Sequence, residues 1–246
     1  MYGGKIMDIK FTKLFDVDEA FYPKPASAFV PDWYKDLESY IGGEKKPLGD
    51  GLTTATIKKC MPVFDSISSG YILSTHTDLY ISQKPELNPK GEPTGETVPW
   101  YEWPAYDFIS WHPIHQAPTH PLRNKHKSVY PKFMNPWAIK TPPGYSCLFL
   151  QPMHRESKFT ILPGVVDTDK YTAPVNFPFV LNDLKMDELI PAGTPFAQVI
   201  PFKRDAWKMS FGSQEDYLEQ LKVMERIRTF FFDSYKRTYR QLKEYK

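Results

Sequence analysis

The sequence predicts a mainly β protein with a short helix near its N-terminus and a long helix at its C-terminus. Three observations carry that reading. Proline is abundant, 24 of 246 residues, and is spread from Pro23 to Pro201, so long helices cannot occupy most of the chain. Short apolar runs between residues 137 and 202 are separated by Pro-Gly, Pro-X-Gly and Asp-rich turns, the rhythm of a β-sandwich or barrel. Helical spacing is confined to one stretch near each end. With 41% apolar and 24% charged residues, the chain is too hydrophobic to be disordered and must form a packed core.

Taken in order, residues 5–15 alternate loosely between apolar and polar, which suits a half-buried strand. After Pro31, the spacing of Trp33, Leu37, Tyr40 and Ile41 predicts a short amphipathic helix over 32–41, ended by Gly42-Gly43. Residues 44–51 read as a linker, and Thr53–Lys58 and Met61–Phe64 as strands. Gly70–Leu73 and Asp78–Ile81 read as two further strands around a turn, and the proline-rich residues 83–105 as a long excursion. Strands are then expected at 137–140, 145–150, 159–162, 175–181 and 196–202. Ser213-Gln214-Glu215-Asp216 has the form of a capping box with aspartate in the acceptor position, and Tyr217, Leu221, Met224, Ile227, Phe231, Tyr235 and Leu242 continue at helical spacing beyond it. The organisation expected is an N-terminal extension over 1–52, a core over 53–212 with an insertion at 83–135, and a C-terminal amphipathic helix over 213–246.

A net charge of +2 does not point to nucleic acid. Cys60 and Cys147 are too few for a disulfide scaffold, and no apolar run has the length of a signal peptide or membrane span, so a soluble, cytoplasmic protein is expected. The P-loop, nucleophile-elbow, His-Glu-X-X-His and Cys-X-X-Cys signatures are all absent.

Chemistry-bearing residues fall in several groups. Asp167 and Asp169 stand in a turn, where aspartate commonly bonds its own backbone. His112, His115 and His120, with His126 nearby and Asp107 as a possible fourth ligand, could hold zinc or iron, although prolines interrupt them and loop or packing roles compete. The aromatics of 98–111, among them Trp100, Tyr101, Trp103, Tyr106, Phe108 and Trp111, suit sheet edges and subunit contacts, or a stacking platform for a ligand. The tail carries Arg226, Arg228, Lys236, Arg237, Arg240, Lys243 and Lys246, cations that complement a helix C-terminus. Phe230-Phe231-Phe232 calls for burial on more than one face of that helix, which docking against another subunit would supply.

One ordered series goes further: Ser69-Gly70-Tyr71-Ile72-Leu73, Pro143-Gly144-Tyr145, Leu150-Gln151-Pro152, Gly164-Val165-Val166-Asp167 with Tyr171, and Gly193-Thr194-Pro195-Phe196-Ala197-Gln198. It resembles the β-clip fold of dUTPases and dCTP deaminases over roughly 57–202. The resemblance implies a distorted β-barrel or sandwich, and a trimer with substrate held at subunit interfaces. It further implies a water-positioning role for Asp167 and a sugar-stacking role for Tyr171. Substrate contacts would fall on Gly70, Tyr71, Arg155 and Ser157, with magnesium at a triphosphate. The sequence departs from that pattern: Ile72 stands where the first motif has aspartate, Tyr171 lies one residue farther from Asp167, and the phosphate motif has become Pro152-Met153-His154-Arg155-Glu156-Ser157. The stretches 56–65 and 200–207 are also similar to a protein family of tailed phages, particularly those infecting cyanobacteria, and of some bacteria, which implies a viral origin. The expectation is therefore a phage-encoded, homo-oligomeric β-clip protein that works by binding a small molecule or by assembly, without an intact catalytic site. The alternative is a nucleotide or phosphometabolite hydrolase or deaminase-like enzyme that uses Asp167 to position water.

Overall fold

The computed structural model describes residues 6–49, 52–104, 107–116, 129–229 and 234–246. The chain is mainly β, with several antiparallel sheets and no closed barrel among the described residues. It divides into two compact units: Met1–Lys24 with Gly70–Arg204, and Pro25–Ser69 with Asp205–Lys246. The divisions fall at 24/25, 69/70 and 204/205.

In the first unit, β1 (Lys10–Lys13) pairs with β10 (Trp137–Lys140). A five-stranded sheet runs in the order β13 (Gly164–Val166), β11 (Tyr145–Leu150), β16 (Pro195–Lys203), β5 (Tyr71–Ser74) and β2 (Lys24–Pro25). A four-stranded sheet has the order β12 (Phe159–Ile161), β14 (Phe177–Leu181), β9 (Val129–Phe133) and β8 (Ile109–Pro113). The third orders β15 (Glu188–Ile190), β6 (Leu79–Leu87) and β7 (Pro93–Glu102). The core between these sheets is phenylalanine-rich. Phe133 stacks on Phe179 at 4.2 Å between centroids and meets Phe159 and Phe196 at 4.9 and 5.1 Å. Each such ring stabilises the fold by about 1.5–3 kcal/mol through burial, so the sheets are held face to face by apolar packing.

The strands expected between 137 and 202 all form, within a few residues of their limits. Two departures in this unit have clear causes. Residues 83–105 are not an irregular excursion: β6 and β7 make one antiparallel ribbon from Tyr80↔Glu102 to Leu87↔Pro93. Proline is tolerated there because β7 is an edge strand and β15 covers β6 only over Leu79–Ile81, leaving ladder positions that need no N–H. Strands β5 and β6 do not pair across their turn but enter different sheets.

In the second unit, the helix expected over 32–41 is only α1 (Asp32–Asp36). Tertiary pairing overrides the helical spacing: Tyr40 bridges Ala55, Ile41 N–H donates to Thr54 O at 2.8 Å, and the chain is already extended at Leu37. The buried face of α1 is Tyr34, not Trp33, which is 44% exposed. Met61–Phe64, expected as a strand, opens α2 (Met61–Ser68), with Pro62 in the first turn where its missing N–H is harmless. Leu48 and Leu52 lie within the paired strands β3 (Pro47–Gly49) and β4 (Leu52–Thr53) of a small hairpin. The capping box forms as expected: Ser213 N–H donates to Asp216 Oδ2 at 2.6 Å and Asp216 N–H to Ser213 Oγ at 3.3 Å, opening α3 (Gln214–Thr229). The terminal helix does not continue to the end of the chain. A single π-helical turn, Tyr235–Tyr239, closes at Arg240 with extended backbone, and Leu242 lies beyond it. Phe230–Phe232 lie outside the described residues.

Candidate functional site

The turn after β13 folds on itself. Asp167 O accepts the N–H groups of Lys170 and Tyr171 at 2.9 and 2.8 Å, and this brings the side chains of Asp167 and Asp169 against the start of β11 and the end of β16. The two carboxylates have different surroundings. Asp169 is 2% exposed and accepts Gly144 N–H at 2.8 Å and both terminal nitrogens of Arg204 at 2.8 and 2.5 Å. The Arg204 guanidinium, and then the Gly144 N–H, hold the Asp169 carboxyl well below the usual carboxylate range. Asp167 is 60% exposed; its Oδ1 accepts Ser146 Oγ at 2.6 Å and lies 3.3 Å from Arg204 Nη1.

Arg204 is the centre of this cluster. It also donates to Tyr145 O and Ser146 Oγ, each at 3.0 Å, while its backbone N–H donates to Gly144 O at 2.8 Å. One guanidinium thus ties three segments together: the turn at Gly144, the turn at 167–171, and the end of the closing strand. Directly beneath, Thr141 and Thr168 hydroxyls meet at 2.8 Å, and Thr168 Oγ1 lies 3.4 Å from Cys147 Sγ. Burial pushes the Cys147 thiol up to about 11, so it is a packing group and not a nucleophile.

The remaining residues named from sequence fall as follows. Tyr171 is half-exposed, and its hydroxyl donates to Pro174 O at 3.4 Å in its own loop. Gly70 has φ +73°, and a Cβ there would lie 2.0 Å from Val199 O, so this glycine exists to let β5 approach β16. Tyr71 is buried edge-on against Phe11. Ile72 is 1% exposed opposite Gln198, whose Oε1 accepts Met153 N–H at 3.0 Å. Arg155 is half-buried in the turn after Pro152, and Ser157 accepts Phe159 N–H at 3.4 Å. His112 Nδ1 lies 2.5 Å from Gln116 Oε1, and His115 is exposed, as is Asp107, with φ +36°. His120 and His126, like Tyr106, lie outside the described residues. Among the described residues no group of His, Cys, Asp or Glu is arranged to hold a metal ion.

Two clusters join residues whose pairing no local pattern in the sequence announces. The first is Arg204 with its carboxylates; its only trace was an arginine immediately after the last strand. The second lies in the second unit, where Asp65 on α2 accepts Arg240 Nη2 at 2.6 Å and Lys243 Nζ at 2.9 Å, with the guanidinium 5.7 Å from the Phe64 ring. Burial alone would raise the Asp65 pKa, but the hydrogen bonds from Arg240 and Lys243 outweigh it and hold the carboxyl below its ordinary value. Arg240 and Lys243, expected at a helix end, thus tie the last segment to α2 instead. Compared with known proteins, the chain matches no family model and no curated sequence. No helix among the described residues is long and apolar enough to cross a membrane.

Proposed function

We propose that the chain is a β-clip-type module of phage origin that acts in the host cytoplasm by binding or assembly, as a homo-oligomer, and not by catalysis. The observation that carries this reading is the occupation of Arg204. A phosphate-handling site needs a cation with unspent donors, and this guanidinium is already shared among Asp169, Asp167, Ser146 and a backbone carbonyl. Asp167 is held by the same clamp, and an apolar Ile72 stands where the resembling enzymes place a carboxylate. A carboxylate tied to a neighbouring serine and arginine organises a turn; a water-activating base needs an open acceptor facing substrate. The exposure of Asp167 favours the hydrolase or deaminase-like alternative.

Thermal-shift measurements with deoxynucleoside triphosphates and magnesium separate the two. No stabilisation is expected with any triphosphate. A clear shift that disappears in Asp167→Asn would replace the binding-and-assembly reading with the enzymatic one.

A further inference from the structure

The segment between β16 and α3 is neither helix nor strand, and its large side chains stand in solvent: Trp207 and Phe211 are each 92% exposed and Met209 82%. They occupy alternate positions, separated by Lys208, Ser210 and Gly212, so residues 205–213 form an arm studded with large apolar groups. The exposure continues along α3 through Tyr217, Leu218, Met224 and Ile227, which are 42–55% exposed. An aromatic side chain carries about 150–250 Å². Arm and helix together therefore leave on the order of 1,000 Å² of largely apolar side-chain surface in water. The two arm aromatics alone account for about 300–500 Å² of it, and with Met209 and the hairpin side chains each copy offers roughly the 800 Å² that one partner gives to a stable interface.

The same unit carries a second apolar surface. Ile41, Leu48 and Leu52 are 62–67% exposed around the β3–β4 hairpin, and Ile57 is 46% exposed. Backbone pairing fixes this surface: Tyr40 bridges Ala55, Ile41 N–H donates to Thr54 O, and Pro47 faces Thr53. The two surfaces also complement each other in charge. Lys45, Lys46, Lys58 and Lys59 accompany the hairpin, with Glu44 paired to Lys46, whereas the arm, whose own Asp205 and Lys208 balance, leads into Glu215 and Glu219, Asp216 being held in the capping box.

Arm and hairpin both remain exposed within one copy, so the arm is not seated on its own hairpin. We propose that the arm, residues 205–213, packs on the Ile41–Leu48–Leu52 surface of a second copy, and that the second copy's arm returns the contact. The occupant is a second copy because each chain supplies one donor and one acceptor of matching character. Reciprocal docking covers both and closes with two-fold symmetry; a foreign partner on the arm would leave the hairpin in water. This rests on the assembly reading and names the element that performs it.

Light scattering on the full chain tests it. The chain is expected to run at twice its monomer mass at tens of micromolar. W207S/M209S/F211S and, separately, L48E/L52E are each expected to halve that mass with an unchanged circular dichroism spectrum, since all the substituted side chains are exposed. An equimolar mixture of the two variants still offers one intact arm and one intact hairpin, and is expected to regain a two-copy species that neither forms alone. A monomeric parent chain, an unchanged mass in either variant, or two monomeric variants that fail to associate on mixing would each overturn the proposal. If a variant loses its spectrum, the mixing experiment is repeated with W207S and L52E singly, under the same criterion. Nucleotide binding in the thermal-shift assay would overturn the non-catalytic reading without altering any of these masses.

Discussion

Asp169 in the first unit and Asp65 in the second are both carboxylates gripped by an arginine, at 2% and 10% side-chain exposure. Their settings differ. Arg204 reaches Asp169 across 35 residues and is itself the residue after β16, whose ladder with β11 runs from Tyr145↔Lys203 to Leu150↔Gln198. Arg240 reaches Asp65 across 175 residues from a segment that belongs to no sheet. In the first case backbone pairing already fixes the chain, and the ion pair shapes a turn. In the second, Asp65 on α2 ties Arg240 and Lys243 of the last residues to that helix. The same pair of side chains is thus a refinement in one unit and an attachment in the other.

Single substitutions test this contrast. The largest effect is expected from Gly70→Ala, which attacks the ladder itself: a Cβ 2.0 Å from Val199 O, at φ +73°, forces β5 away from β16. A loss on the order of 3–5 kcal/mol is expected, seen as insoluble expression or a collapsed denaturation midpoint. Next comes Arg240→Ala, which leaves Asp65 with Lys243 alone; about 2–3 kcal/mol should be lost in urea titration, with accelerated proteolysis of the tail. Because the Asp65 carboxyl is lowered in the fold, its stabilisation is complete above the ordinary carboxylate range and disappears as pH falls through the folded value. The Arg240→Ala variant should therefore lose less stability on acidification than the parent. Asp169→Asn should lower the melting temperature by less than Arg240→Ala, with the β11–β16 amides still protected from exchange. A larger loss at Asp169 than at Arg240 would reverse the contrast.

The smallest effect concerns His76, whose ring sits edge-on between Phe15 and Phe108 at 5.4 and 4.9 Å, with both nitrogens buried and without hydrogen-bond partners among the described residues. Burial lowers its pKa from an ordinary 6.5 to about 4. Between those values the unfolded chain binds the additional proton, so stability falls as pH drops from 6.5 toward 4. His76→Phe should flatten that part of the melting profile and leave the neutral-pH value nearly unchanged.

Legibility followed the range of the forces involved. The strands from Trp137 to Phe202 were readable because local turn chemistry, such as Pro143-Gly144 and Pro163-Gly164, brackets each one. The β6–β7 ribbon was not, because proline signals a break unless the topology happens to leave its side of the strand unpaired. Four residues of α2 have the pattern of a strand, and helical spacing over 32–41 overstates the helix because Ala55, which draws Tyr40 into an extended bridge, is distant in sequence. Asp167 was visible as a turn residue in a motif. Arg204 and the Asp65–Arg240 pair were not, since a contact over 35 or 175 residues leaves no periodicity to find.

The far end of the β6–β7 ribbon closes on Asn88, whose Oδ1 accepts the N–H groups of Lys90 and Glu92 at 2.9 and 3.0 Å, with Gly91 at φ +82°. Pro85, Pro93 and Pro99 along the two strands withhold the donors that another chain's edge would need, so the hairpin resists sticking to its neighbours although it projects a row of residues into solvent. A protruding, self-bonded tip on a non-adhesive stem is a natural place for foreign sequence. A peptide or small domain grafted between Lys90 and Gly91 would extend from the tip of this ribbon, giving a handle for labelling or immobilisation.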